Sequence, residues 1–236
     1  MASVSASSAA LDRISALRGP STADIIFDEL YRRIVELALP PGTRISELDV
    51  ARQIGSSRQP VRDAFYRLSR LGLVEVQPQR ATVVSLVSDE AVLQAKFVRT
   101  ALEAETARLA AERPEEARRA LAGLLDQQRA AVAAGDRLRF HDLDDAFHEA
   151  ICAVAGHDSA WALIRENKAH MDRVRWLSLA VGAPAALDDH VRIFDALCAG
   201  DPAAAAAAMR VHLARIVDIL ARVRGEHPDM FAEERQ

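Results

Sequence analysis

The sequence predicts a mainly α chain in two parts: an N-terminal winged helix-turn-helix, then a C-terminal all-α antiparallel helical bundle. Three observations carry that reading. The 236 residues are half hydrophobic but only 5% aromatic, and Leu, Ala, Arg and Glu dominate, which favours helix. β-branched alternation is confined to residues 73–87. Beyond residue 112, breakers recur at intervals that cut the chain into helix-length pieces joined by short connections, the pattern of antiparallel neighbours. The length suffices for one large domain or two smaller ones with proper cores.

Residues 1–20 are rich in Ser and Ala and read as a mobile arm. A helix begins near Ser21–Thr22, with Ile25, Ile26, Leu30, Ile34 and Leu37 as its apolar stripe, and stops at Leu39-Pro40-Pro41-Gly42. Thr43-Arg44-Ile45 is short and extended. Ser46 with Asp49 three positions on resembles a capping box for a short helix through Ile54. Gly55 suits the tight turn that follows. Ser56 and Ser57 are candidate N-caps, Pro60 falls in a first helical turn, and Val61, Phe65, Leu68 and Leu71 form one stripe to Leu71. Arg58, Gln59 and Arg62 crowd the N-terminal end of this helix, the end that a helix-turn-helix inserts into the DNA major groove. Gly72 stops the helix, residues 73–76 alternate as a strand, residues 77–80 turn, and residues 81–87 return as a second strand.

The net charge of −4 alone argues against a nucleic-acid partner. Residues 1–88, however, carry 11 Arg against 9 acidic residues, while residues 89–236 carry 19 basic against 25 acidic. A locally basic element on an acidic body remains compatible with DNA, because the field at the contact face is what counts. Cys152 and Cys198 form neither a disulfide framework nor a zinc-finger pattern. No apolar run is long enough to cross a membrane, and the first 20 residues lack the charged start and apolar run of a signal peptide. The expectation is a cytoplasmic protein with reduced thiols and no membrane partner.

Residues 22–88, and above all PPGTRISE, SR-x-PVR and LGLVEV, resemble the N-terminal domain of the GntR superfamily of bacterial transcription regulators. The resemblance implies DNA contacts by Ser57 and Arg58 at the start of the reading helix and by Arg62 one turn later. It implies a minor-groove contact by the wing tip, Gln79-Arg80-Ala81. Ala81 stands where the family's wing usually has Gly, and Leu48 where some members have a DNA-contacting Arg.

Helices are expected at about 89–112, 114–134, 136–155, 159–179, 184–198 and 202–224, with breaks at Gly182-Ala183-Pro184 and Gly200-Asp201-Pro202 among others. Within the third, Asp144 and His148 are i,i+4 and share a face. His190 lies ten residues before the Gly200 turn and His212 about eleven after it, so both sit roughly 15 Å up a helical hairpin. Three imidazoles and a carboxylate suit a divalent metal such as Zn, Ni, Fe or Mn. His141 and Asp145 share a neighbouring face, with Asp145 expected to point to solvent, and Cys152 reads as a buried thiol. His157, His170 and His227 carry no pattern.

Residues 90–215 resemble the FCD domain of the FadR-type branch of that superfamily, through VRTALEAETARLAA, D-x-x-F-H at 144–148, and H-x5-LCAGDPAAAAAAMRVHL. The resemblance implies Asp144, His148, His190 and His212 as metal ligands. The preferred reading is a homodimer on a two-fold DNA operator, since half-site symmetry mirrors protein symmetry, with a small organic acid as effector. Arg99, in the VRTALE segment, is a candidate for the effector's carboxylate, and Arg173 is a second. Together these readings predict a DNA-binding repressor, not an enzyme, governed by a carboxylate at a metal site. The alternatives are a metal-ion sensor and a metal-dependent enzyme fused to a DNA-binding unit.

Overall fold

The computed structural model describes residues 19–76 and 81–233, with the backbone alone at residues 179–181. Most of the expected N-terminal arm, and the wing-tip residues Gln79 and Arg80, lie outside the described residues. The N-terminal unit holds α1 (Thr22–Val35), β1 (Arg44–Ile45), α2 (Glu47–Ile54), α3 (Arg58–Arg70), β2 (Val74–Glu75) and β3 (Thr82–Val84).

Ser21 caps α1 with a full capping box: its Oγ accepts from Asp24 N at 3.1 Å, and its own N–H donates to the Asp24 carboxylate at 2.9 Å. The buried stripe is Ile26, Leu30 and Ile34, joined by Val35. Ile25 and Leu37 do not belong to it. Ile25 is 56% exposed, because it stands 100° round the helix on the face of Glu29, Arg32 and Arg33. Leu37 takes a φ of +59° beyond the last helical turn, so the helix stops before the prolines are reached.

Gly55, with a φ of +69°, ends α2 in the left-handed region that the turn into α3 requires. Ser46 caps α2 through Asp49 N at 3.4 Å. Ser57 occupies the N-cap position of α3 but makes no side-chain cap bond. Val61, Phe65 and Leu68 of α3 pack with Ile26, Leu30, Ile34, Leu73 and Val84 in one core. The expected two-stranded hairpin is a three-stranded antiparallel sheet, with β3 between β1 and β2. Arg44 pairs with Val83, and Val74 with Val84.

The bundle comprises α4 (Asp89–Ala111), α5 (Glu115–Ala134), α6 (Arg137–Ala155), α7 (Asp158–Asn167), α8 (Ala169–Ala199), α9 (Pro202–Ala214) and α10 (Ile216–Glu226), with a 3-10 turn at Pro228–Met230. The expected break at Gly182-Ala183-Pro184 is absent: α8 runs 31 residues straight through Pro184. Packing outweighs the N–H that proline lacks, since Ala183, just before it, is buried against Ala131, Phe140 and Leu143. The chain breaks instead at Lys168, whose buried ammonium is ion-paired with Asp145 and Asp172. Residues 202–224 form two helices rather than one, divided at Arg215.

The two units meet along the start of α8. Ala169 joins the N-terminal core. Arg173 donates to Ser85 O at 2.7 Å and to His170 Nδ1 at 2.7 Å. His170 Nδ1 also accepts from Ser88 N, and its Nε2 lies 3.1 Å from Gly72 O. The C-terminal segment closes the same seam: Val87 N donates to Met230 O, Ala232 N to Val87 O, and Phe231 is buried beside Val87.

Candidate nucleic-acid interface and metal centre

At the N-terminal end of α3, Ser57, Arg58 and Gln59 are exposed, together with Arg62 one turn on. The unpaired N–H groups and positive dipole end of a helix favour an anion there. Arg58 Nη2 lies 3.2 Å, and Arg62 Nε 3.6 Å, from the same Oε2 of Glu47 on α2. One carboxylate thus holds both arginines near each other. Gln59 donates to Asp63 at 2.9 Å. Ala81 is exposed, and Leu48 presents an apolar side chain on the outer face of α2.

In the bundle, Asp144 and His148 from α6, His190 from α8 and His212 from α9 come together with one ligand-type atom each, all within 4.8 Å of one another. The first three are buried. His190 Nδ1 faces Gln128 Oε1 at 2.8 Å, and the Gln128 amide donates to Leu143 O at 2.9 Å. That amide orientation makes Oε1 the acceptor, so Nδ1 carries the proton and Nε2 presents a lone pair toward Asp144 Oδ1 at 3.6 Å. His148 sets Nδ1 against Glu103, with Nε2 3.9 Å from Asp144 Oδ2. His212 Nδ1 lies 3.5 Å from Asp189 Oδ2. Outer partners of this kind fix ring orientation around metals.

Among the described residues, His148 Nε2 and His190 Nε2 are buried with no hydrogen-bond partner. Such orphans are costly unless something else fills their lone pairs. Burial pushes His190 and His212 down in pKa, and the neighbouring imidazoles add to the effect. Burial acts to raise Asp144, but Arg175, followed by the histidines, holds its carboxyl well below the usual range. Neutral imidazoles beside an ionised carboxylate are the protonation states that a metal ligand set needs. The donor set fits a divalent cation.

Asp144 and His212 open onto a cavity of about 270 Å³, lined also by Arg99, Met171, Arg175 and Ile216. Arg99 is 3% exposed and pairs with Glu103 at 2.5 Å. Burial works against that pair, yet Arg99 and then His148 hold the Glu103 carboxyl far below its ordinary pKa.

Arg173 is not a cavity residue: it faces the seam, bonded to Ser85 O and His170. The cavity's second arginine is Arg175, two positions on, which donates to Asp144. Its sequence signal is faint, because Arg173 and Arg175 stand about 200° apart on one helix and spacing alone does not say which of them faces the cavity. Asp145 does not point to solvent; it pairs with Lys168 at 2.7 Å and with Arg175 at 3.3 Å. His141, Asp145 and Asp172 also converge, but Lys168 and Arg175 already pair with both acids. Cys152 is a buried thiol raised to about 11, chiefly by burial. His170, which the sequence left without a pattern, holds the seam.

A winged helix with exposed arginines at the start of α3, joined to a helical domain with a cavity that charged and apolar side chains line together, has the architecture of a DNA-binding regulator with a sensing domain. Residues 22–84 match the gntR family of bacterial regulatory proteins, and residues 96–215 match the FCD domain. The chain belongs to the GntR family of transcription regulators, in its FCD-containing branch, and is not an enzyme. It is 38% identical over 212 residues to the HTH-type transcriptional repressor RspR of Escherichia coli (strain K12), covering 89% of this chain and 93% of that protein. It is 34% identical over 216 residues to an HTH-type transcriptional regulator in an unstable DNA locus of Streptomyces ambofaciens, covering 89% of each. The solved structure of E. coli McbR/YncC shares the fold, with a TM-score of 0.74 at 21% identity over 86% of this chain and 98% of that one. Among the described residues, no helix is long and apolar enough to cross a membrane.

Proposed function

We propose that the chain is a cytoplasmic, homodimeric repressor whose operator affinity is set by a small organic acid at a metal site in the bundle. Two copies would present their α3 helices to a two-fold operator, with Ser57, Arg58, Gln59 and Arg62 in the major groove and Gln79-Arg80 at the wing tip. Asp144, His148, His190 and His212 would hold the metal, with Zn first and Ni, Fe or Mn as the alternatives. A bound divalent metal would supply a Lewis-acid position for the acid's oxygen. Arg99 stands on the cavity wall as a cationic neighbour for its carboxylate. The observation that carries this reading is the pair of orphaned imidazole nitrogens beside the ionised Asp144, whose carboxylate in turn lines a cavity shared with Arg99 and Arg175.

The test is a thermal-shift screen of zinc-loaded and metal-stripped protein against small organic acids, because a ligand bound to the folded state raises its apparent stability. Stabilisation by an acid that disappears on stripping is the expected result. Equal shifts in both forms would separate the acid from the metal and overturn the reading. Duplexes selected from a random DNA library then report whether that acid weakens binding. A response to the metal with none to any acid would favour the ion-sensor alternative.

A further inference from the structure

The polar wall of the cavity continues past the histidines into the seam between the two units. Arg175 Nη2 donates to Asp144, while its Nη1 is shared between Asp145 Oδ1 at 3.3 Å and Asp172 Oδ1 at 3.2 Å. Asp172 uses its other oxygen to accept from Lys168 Nζ at 2.5 Å and from Tyr31 Oη at 3.2 Å. Tyr31 lies on α1 of the DNA-reading unit. Asp172 and Lys168 are each 1% exposed, so water is not at hand to replace a lost partner. One guanidinium therefore touches the cavity and a metal-ligand candidate on one side, and on the other an aspartate that grips the winged unit.

We propose that Arg175 takes the carboxylate of the incoming acid and, in doing so, loosens the Asp172–Tyr31 contact that docks α1 on the bundle. This rests on the carboxylate reading above. An anion in the cavity competes for a guanidinium already divided among three acids. As the fork turns toward the newcomer, Asp172 Oδ1 loses its charged donor inside the protein, and a buried carboxylate oxygen without a donor is unfavourable. The Asp172 carboxylate rotates to recover one. Among the described residues Tyr31 is the only neutral donor on that carboxylate, and hydrogen bonds from neutral donors are weaker than charge-assisted ones, so its bond is the one that yields. The acid thereby binds differently to the docked and undocked arrangements, which is the condition for it to shift their balance.

The experiment is amide exchange over Thr22–Val35 in the zinc-loaded full chain, with and without acetate as the probe acid, while calorimetry reports acetate binding. In the wild type, acetate is expected to speed exchange of α1 several-fold. Tyr31→Phe is expected to exchange fast without acetate and to gain nothing on its addition, while still binding it. Arg175→Lys keeps the charge but loses the fork; it is expected to bind acetate weakly and to loosen α1 with no acid present. A Tyr31→Phe variant that responds to acetate like the wild type would overturn the coupling. So would undiminished acetate binding by Arg175→Lys. If acetate does not bind the wild type, the carboxylate reading fails separately. The coupling is then judged on Arg175→Lys alone, and wild-type exchange of α1 in that variant sinks it.

Discussion

Arginine performs opposite tasks at the two ends of this molecule, and the difference lies in desolvation. The Arg58 and Arg62 side chains are 59% and 58% exposed and lean on a single carboxylate, Glu47. Exposed pairs of this kind are worth only about 0–1 kcal/mol, which suits the proposed DNA contacts, where each arginine would release one anion to take up a base edge or a phosphate. Arg99 and Arg175 are enclosed, and each is held by acids that are themselves buried. A buried charge that loses its partner is strongly destabilised, so these arginines change partners only when another anion arrives. On the proposed function, the end that meets DNA would exchange contacts freely, and the cavity end only against a ligand.

The largest effect that would sharpen this contrast lies in the bundle. His148→Ala with His190→Ala is expected to abolish metal binding by elemental analysis and to remove acid-dependent stabilisation, with the helical content retained. Full metal content in that variant would refute the four-ligand site.

The next effect lies at the seam. Burial first, and then Arg173, lower His170 to about 4. Because the folded value lies below the unfolded 6.5, the stabilisation is complete above pH 6.5 and is lost as pH falls toward 4. The full difference is on the order of 3 kcal/mol. Urea unfolding as a function of pH should show that loss in the wild type and a shallower slope in His170→Gln; parallel slopes would remove His170 from the account.

Arg58→Ala comes third. It is expected to weaken binding to a selected duplex by about 1–3 kcal/mol and to flatten sequence preference, with no change in melting temperature. Unchanged preference in a binding assay would count against the reading-helix assignment. The smallest effect is that of Glu47→Gln, which should leave folding within about 0.5 kcal/mol. Unlike an uninvolved surface acid, whose removal would strengthen binding to all DNA alike, Glu47 is expected to lower the ratio of selected to random duplex affinity when changed.

Much of this was legible in residue order because it depends on local chemistry. Gly55, the N-cap positions of Ser21 and Ser46, and the 3.6-residue recurrence of Val61, Phe65 and Leu68 are written into short windows of chain. The convergence of Asp144, His148, His190 and His212 could be anticipated too, since an i,i+4 pair and equal heights on a hairpin follow from helical rise. What escaped was orientation about a helix axis where the pattern is uniformly apolar or charged. The sides taken by Ile25, Asp145 and Arg173, and the partners of Arg175 and His170, are set by packing between segments and not by any local pattern.

The fold class and the reading helix thus follow from periodicity and capping along one chain, and the four converging side chains from spacing together with what the family resemblance implies. The course of α8 through Pro184, the sharing of Arg175 among three acids, and the closure of the seam by His170, Arg173 and Phe231 do not. They depend on which groups from distant segments compete for the same buried space. A proline's missing bond or a charge's desolvation can be offset only by partners brought from elsewhere, and those partners exist only once the chain has folded.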